Sequence, residues 1–297
     1  MKKLFTLLYL CVAFNLSAQE GNELSEQAYK QKLDSINNSF TYKTGEVTLE
    51  NGLAKIKVPE GYKFLNAEQS NRVLTDLWGN PPSEVLGMLF PKNIDPISEN
   101  FTYAVEITYS DEGYINDDDA KDIDYDELLS EMQSDADAAN EEREKLGYPT
   151  IELIGWASKP FYDETSKKLH WAKELNFGGD SINTLNYNIR VLGRSGFLNL
   201  NAIGTIDVLP QFKNDVDQIL NSITFSEGNT YADFNPDIDK VAAYGIGGLI
   251  AGKLLAKAGF FALLLKFWKV IAIAIAGGFG ILKNKIFGSK ENEQRNA

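Results

Sequence analysis

The carboxyl end places the strongest constraint on what this chain can fold into. From Val241 to Leu282 it reads VAAYGIGGLIAG, KLLAKAG and FFALLLKFWKVIAIAIAGGFGIL, rich in glycine and alanine and without an acidic residue. A membrane-crossing helix needs about 20 mostly apolar residues, and Phe260 to Leu282 meets that length. Lys266 and Lys269 oppose insertion. Near mid-membrane each lysine costs about 2.5–3.5 kcal/mol, whereas a strong apolar residue contributes only about 0.3–0.6 kcal/mol. Snorkelling, a helical hairpin with the lysines at its turn, or a homo-oligomer packed through Gly245, Gly248 and Gly252 would relieve that cost. Residues 241–285 are therefore expected to be a transmembrane helix or helical hairpin, with a core helix of a soluble domain as the competing reading. Lys283 and Lys285 then put the polar tail 286–297 in the cytoplasm.

The amino end has the complementary signal. Lys2 and Lys3 precede an apolar run from Leu4 to Phe14, and Asn15-Leu16-Ser17-Ala18 follows, which is the pattern of a secretory signal peptide over residues 1–18. Cys11, the only cysteine, falls inside that run, and Leu10 before it argues against a lipoprotein. A mature domain beginning beyond it has no disulfide, thiolate metal site or cysteine nucleophile. Export with a carboxyl-terminal anchor places the middle of the chain on the periplasmic side of the inner membrane, with membrane lipid as a standing partner.

Charge supports a division into unlike parts. The chain carries a net charge of −13, yet both ends are basic, so the middle is more acidic than the total. Such a domain is a poor ligand for nucleic acid or anionic lipid.

Local patterns within the middle describe a mixed fold. Residues 19–40 read as a polar helical lead-in. Residues 41–227 form an extracytoplasmic domain, and 228–240 a short linker to the anchor. Gly45 to Glu50, Asn51-Gly52 and Leu53 to Val58 make a hairpin, because Asn-Gly takes positive φ in a tight turn. Asn66 with Gln69 begins a helix through Leu77 that stops at Gly79. Asp124 with Glu127 begins another, Tyr125 to Lys145, ending at Gly147 before Pro149. Val85 to Phe90, Phe101 to Tyr109, Ile151 to Ala157, Leu169 to Asn176, Ile182 to Leu192 and Phe197 to Ile206 read as strands, and Gln211 to Asn221 as a last helix. Strands in hairpin-like succession predict an α+β fold with a largely antiparallel sheet and flanking helices.

Several stretches together resemble a known family: Trp78-Gly-Asn-Pro-Pro82, Gly87-Met-Leu-Phe-Pro91, Gly113-Tyr114, Asp117-Asp-Asp-Ala120, Ile123 to Leu129, Gly155-Trp156, Leu185 to Arg190, Leu192-Gly-Arg194 and Asp239 to Gly245. The chain is similar to bacterial membrane-anchored proteins grouped as a domain of unknown function. The resemblance implies an envelope location and a carboxyl-terminal anchor, and no activity.

Chemistry is thinly signalled. Asp122, Asp124 and Asp126 imitate the start of a calcium loop, but Glu127 stands where glycine is needed and Gln133 where the bidentate acid belongs. A solvated acidic loop capping a helix is the better account. His170 is the only histidine, too few for the usual zinc sites. Ser195, in Gly193-Arg-Ser-Gly196, lacks nucleophile-elbow spacing. No cofactor motif is present. Trp78, Asn80, Pro81, Pro82, Tyr114, Trp156 and Arg194 are the candidate interaction surface, an aromatic followed by prolines being able to dock a partner when exposed. These features favour a membrane-anchored periplasmic binding or interaction domain, with an envelope protein or a second copy as partner. The alternative is an envelope hydrolase using His170 or the carboxylates of the acidic segment.

Overall fold

The structure, a computed structural model, describes residues 27–80, 83–98, 100–145 and 149–252. The signal peptide, the end of the helix at Gly147, the anchor beyond residue 252 and the basic tail all lie outside the described residues, as do Pro81 and Pro82.

The central layer is a seven-stranded antiparallel sheet. It contains β3 (Tyr62–Asn66), β4 (Val85–Pro91), β5 (Tyr103–Ser110), β6 (Ile151–Asp163), β7 (Lys168–Phe177), β8 (Thr184–Leu192) and β9 (Phe197–Thr205), in the order β3-β4-β5-β9-β8-β7-β6. A second sheet has three strands, in the order β1 (Glu46–Leu49), β2 (Ala54–Lys57), β10 (Ile223–Phe225). The expected α+β class with antiparallel sheets is what the chain adopts. The Asn-Gly hairpin joins β1 to β2 with Leu49 opposite Ala54, and Asn51 and Gly52 take φ of 51° and 97°.

Alternation along the strands gives the large sheet two different faces. On the first face Val105 and Ile107 of β5, Leu198 and Leu200 of β9 and Tyr187 and Ile189 of β8 form the main core. It is closed by Phe212, Val216 and Ile219 of helix α4 (Leu209–Ser222) and by the small sheet through Ile56 and Ile223.

Among the described residues, helices cover the second face at its two ends. Over β3 and β4 lies helix α2 (Ala67–Asn71), continued by a wider-wound turn, Arg72–Leu77. These bury Val73 and Leu74 with Trp78, Met88 and Phe90. The helix over residues 27–37, α1, adds Ile36 to this cluster. Over β6 and β7 lie α3 (Tyr125–Lys145) and the short α5 (Ile246–Ala251), which bury Leu128, Met132, Ile246 and Leu249 with Leu169 and Trp171.

Local capping sets where these helices begin. The Asn66 side chain accepts from Gln69 N at 3.1 Å, and Asp124 Oδ1 accepts from Asp126 N at 3.0 Å and Glu127 N at 3.1 Å, so orphan amides of the first turn are satisfied. Gln69 does not return the bond to Asn66. Its amide is paired with the Thr41 backbone instead, at 2.6 and 3.2 Å.

The carboxyl-terminal part of the domain differs from the linker and anchor expected over it. Within residues 241–252, read as the start of the anchor, Ile246, Leu249, Ile250 and Ala251 are buried in the domain's core, while Val241 is exposed. Gly252 takes φ of 69° and ends α5, so Gly248 and Gly252 do not lie along a continuous helix face there. Among the described residues no helix is long and apolar enough to cross a membrane.

Candidate functional site

The acidic run forms a latch. Asp117 accepts from Tyr162 at 2.6 Å and from Lys167 at 2.7 Å, and its other oxygen lies 2.9 Å from the Tyr231 hydroxyl. Burial pushes its carboxyl up, but the hydrogen bonds from Lys167, Tyr162 and Tyr231 outweigh this and hold it below the ordinary carboxylate range. Asp119 accepts from Ile246 N at 2.8 Å and Gly247 N at 3.0 Å, closing the start of α5. Tyr244 donates to Glu112.

Two of the three acids with calcium-like spacing are engaged within the chain. Asp124 caps α3 and Asp126 pairs with Lys159 at 2.7 Å. Among the described residues no three His, Cys, Asp or Glu side chains converge as a metal would require. Beside the latch a cleft of about 320 Å³ is lined by Asp118, Lys121, Tyr125, Phe161 and Glu164. Its lysine is already paired with Glu164 at 2.9 Å.

Two residues nominated as interaction surface serve the same latch. Arg194 grips Asp239 with a two-pronged contact, Nε to Oδ2 at 2.7 Å and Nη2 to Oδ1 at 2.9 Å. Tyr114 pairs with Val241 and stacks on Phe234, ring centres 3.8 Å apart. Residues 228–252 thus form a strap held down by the loop after β5. The close approach needs Gly113, where a Cβ would lie 2.7 Å from Lys240 O.

Trp78 is a correction: it is 7% exposed, donates Nε1–H to Pro96 O at 3.0 Å and packs edge-on against Phe101. Asn80 is 5% exposed. Neither presents a docking surface, and Pro81 and Pro82 are outside the described residues. Trp156 is half-buried and donates to Tyr125 O at 3.0 Å, fixing the start of α3. The structure therefore does not gather the nominated residues into one site.

His170 lies on β7 with Nδ1 2.8 Å from the Tyr187 hydroxyl and its ring facing Phe161. Burial holds its imidazole below the ordinary value. Ser195 is exposed in the β8–β9 turn, and no hydrogen bond among the described residues joins it to His170.

What the sequence reading missed is on the middle of the sheet's second face. The strand registers align Thr108 with Asn199, and Asn199 with Arg190. They align Glu106 with Asn201, Asn201 with Asn188, and Asn186 with Lys173. Eight polar side chains thus adjoin one another on β5, β9, β8 and β7, between two apolar clusters. Glu106 and Asn188 are 4% and 6% exposed, and the other six are half-buried. Hydrogen bonds join five of them in two groups: Asn199 donates to Thr108 at 3.2 Å, while Asn186 donates to Asn201 at 3.2 Å and Asn188 to Asn186 at 2.7 Å. The signal was present in the alternation of Asn186, Asn188 and Arg190 along β8 and of Asn199 and Asn201 along β9.

Burial pushes Lys173 down to about 8, with repulsion from Arg190 adding to it, and pushes Arg190 down to about 10. A polar, partly desolvated patch at the centre of a sheet is expensive to maintain and is the arrangement expected of a binding surface.

Comparison with known proteins places the chain in a family. Residues 41–280 match the family described as Protein of unknown function (DUF2167). The chain belongs to the DUF2167 family. No curated protein matches the sequence. Among solved structures, this DUF2167 chain is similar to the PsbP protein (CyanoP) of Synechocystis sp. PCC 6803, at 9% identity over 61% of this chain and 91% of that one, with a TM-score of 0.35. It is also similar to the Saccharomyces cerevisiae Ran-binding protein Mog1p, at 9% identity over 62% and 95%, with a TM-score of 0.32. At such scores neither likeness carries a function to this chain.

Proposed function

We propose that this DUF2167 protein is a membrane-tethered, extracytoplasmic binding domain whose ligand seats on the polar middle of the large sheet. One observation carries the binding half: the eight adjoining polar side chains of β5, β9, β8 and β7 lie on a sheet face whose two ends are apolar and covered by helices. Burying amides and cations there without a ligand is unfavourable compared with apolar residues of similar size. The tether half rests on the signal-like amino end and on the apolar run that follows the strap. Because the strap is bonded to the domain up to α5, a tether there would hold the domain close to the bilayer. A second copy, packed through the run beyond residue 252, is the partner this arrangement favours. The hydrolase alternative draws no comparable support, since His170 meets Tyr187 and Phe161 rather than a nucleophile.

Cell fractionation with protease added to spheroplasts tests the tether: the protein should pellet with membranes and be cut from outside. A freely soluble cytosolic product that keeps its initiator methionine would end that reading. Native mass spectrometry of the gently extracted full chain tests the binding face. A retained small molecule should be lost in a folded Asn188→Leu variant, and equal retention by that variant would move the site elsewhere.

A further inference from the structure

The polar face is not uniform. Amides occupy β8 and β9, whereas both cations lie toward the β7–β8 side. Arg190 holds its guanidinium carbon 5.0 Å from the centre of the Trp171 ring. Lys173 rises two residues beyond Trp171 on the same face of β7, and each cation feels the other's charge.

Among the described residues neither cation forms an ion pair, although the chain has 42 acidic residues against 29 basic ones. Glu106 shares the face but stands two strands from β8, in the row of Asn201 and Asn188. Glu112 acts on Arg190 from the strap side, where it is engaged by Tyr244.

Among the described residues, unmet hydrogen-bonding capacity collects around Arg190. Arg190 donates Nη1 to Ile189 O at 3.0 Å and reaches Asn188 Oδ1 only at 3.5 Å, while its Nε is buried without a partner. Its cross-strand neighbour Asn199 has a buried, unpartnered Oδ1, and Trp171 Nε1 is likewise unpartnered. Two donors and one acceptor without partners, around two cations that form no ion pair among the described residues, are complementary to an anion attached to a hydroxyl-bearing body.

We infer that Lys173 and Arg190 bind the acid group of a small polyhydroxy ligand, a carboxylate or phosphate, whose hydroxyls lie along Asn186, Asn188, Asn199 and Asn201. This rests on the reading of the sheet face as the binding surface. An arginine fork suits either planar carboxylate or phosphate, and lysine adds a point charge. Each asparagine amide offers a donor and an acceptor, as each hydroxyl does.

Isothermal titration calorimetry of the full chain in detergent tests this with four probes: glucuronate, glucose 6-phosphate, glucose and inorganic phosphate. One of the two acidic sugars should bind, which decides between carboxylate and phosphate. Glucose and inorganic phosphate should each bind at least about tenfold more weakly, and Lys173→Gln should weaken the acidic sugar by at least about tenfold. Lys173→Arg should restore much of the loss, and thermal melting should show both variants folded. Equal binding of glucose and the acidic sugar, unchanged affinity in Lys173→Gln, inorganic phosphate binding as tightly as glucose 6-phosphate, or no binding of any probe would each overturn the inference. The binding-face reading fails separately, when a co-purified molecule survives Asn188→Leu. A molecule lost in Asn188→Leu but kept in Lys173→Gln would leave the face as the site and remove its anion specificity.

Discussion

Removing the Asp117 carboxylate should release the strap before it disturbs the sheet. Asp117 gathers donors from three places: Tyr162 on β6, Lys167 in the β6–β7 turn and Tyr231 in the strap, at 2.6, 2.7 and 2.9 Å. Hydrogen bonds to a charged group contribute about 1.5–3 kcal/mol each. The net is smaller than their sum, because the lost carboxylate no longer has to be desolvated and Lys167, whose side chain is 27% exposed, can turn to water. Asp117→Ala is therefore expected to cost about 3 kcal/mol, and Asp117→Asn, which keeps one acceptor oxygen, about half that. Urea unfolding of the full chain measures the loss, and hydrogen–deuterium exchange locates it: residues 228–252 should exchange faster while β8 and β9 stay protected. The sign with pH follows from the folded carboxyl lying below its unfolded value of about 3.9. Its contribution is complete above that value and is lost as pH falls through the folded pKa. Asp117→Asn should therefore flatten the fall of stability in acid. A loss below about 0.5 kcal/mol for Asp117→Ala, with unchanged exchange in the strap, would refute the latch.

Three further substitutions separate core, cap and close approach. Trp78→Ala should cost about 3–5 kcal/mol in chemical denaturation, because a buried indole between Phe90 and Phe101 is removed; a loss under about 1 kcal/mol would restore the docking role. Asn66→Ala should cost about 1 kcal/mol and loosen exchange at the start of α2, since Gln69 N loses its acceptor; Asn66→Asp should retain most of the stability. Gly87→Ala places a methyl 2.1 Å from Phe64 Cζ and 2.7 Å from Leu65 O, so the melting temperature should fall by the equivalent of about 1–3 kcal/mol. An unchanged melt would mean that β3 and β4 separate more readily than their register suggests.

Elements encoded within a few residues could be read directly from the sequence. The Asn51-Gly52 hairpin, the Asn66 cap and the Asp124 cap over Tyr125–Lys145 all depend on neighbours along the chain, and they stand where the local chemistry puts them. The membrane-crossing role expected of the apolar carboxyl end rests on composition and length alone. Strands β3 and β10 were not legible as strands. Each is short, and each is stabilised by a distant partner, β4 for one and β2 for the other. The acid-rich run was plain in the sequence, but not that Asp117 and Asp119 would meet Tyr231 and Ile246 more than a hundred residues later. Likewise the alternating asparagines of β8 and β9 promise a polar face and no more. The order β5-β9-β8-β7 is what sets Glu106, Asn201 and Asn188 side by side and Asn186 beside Lys173, because cross-strand neighbours are chosen by register.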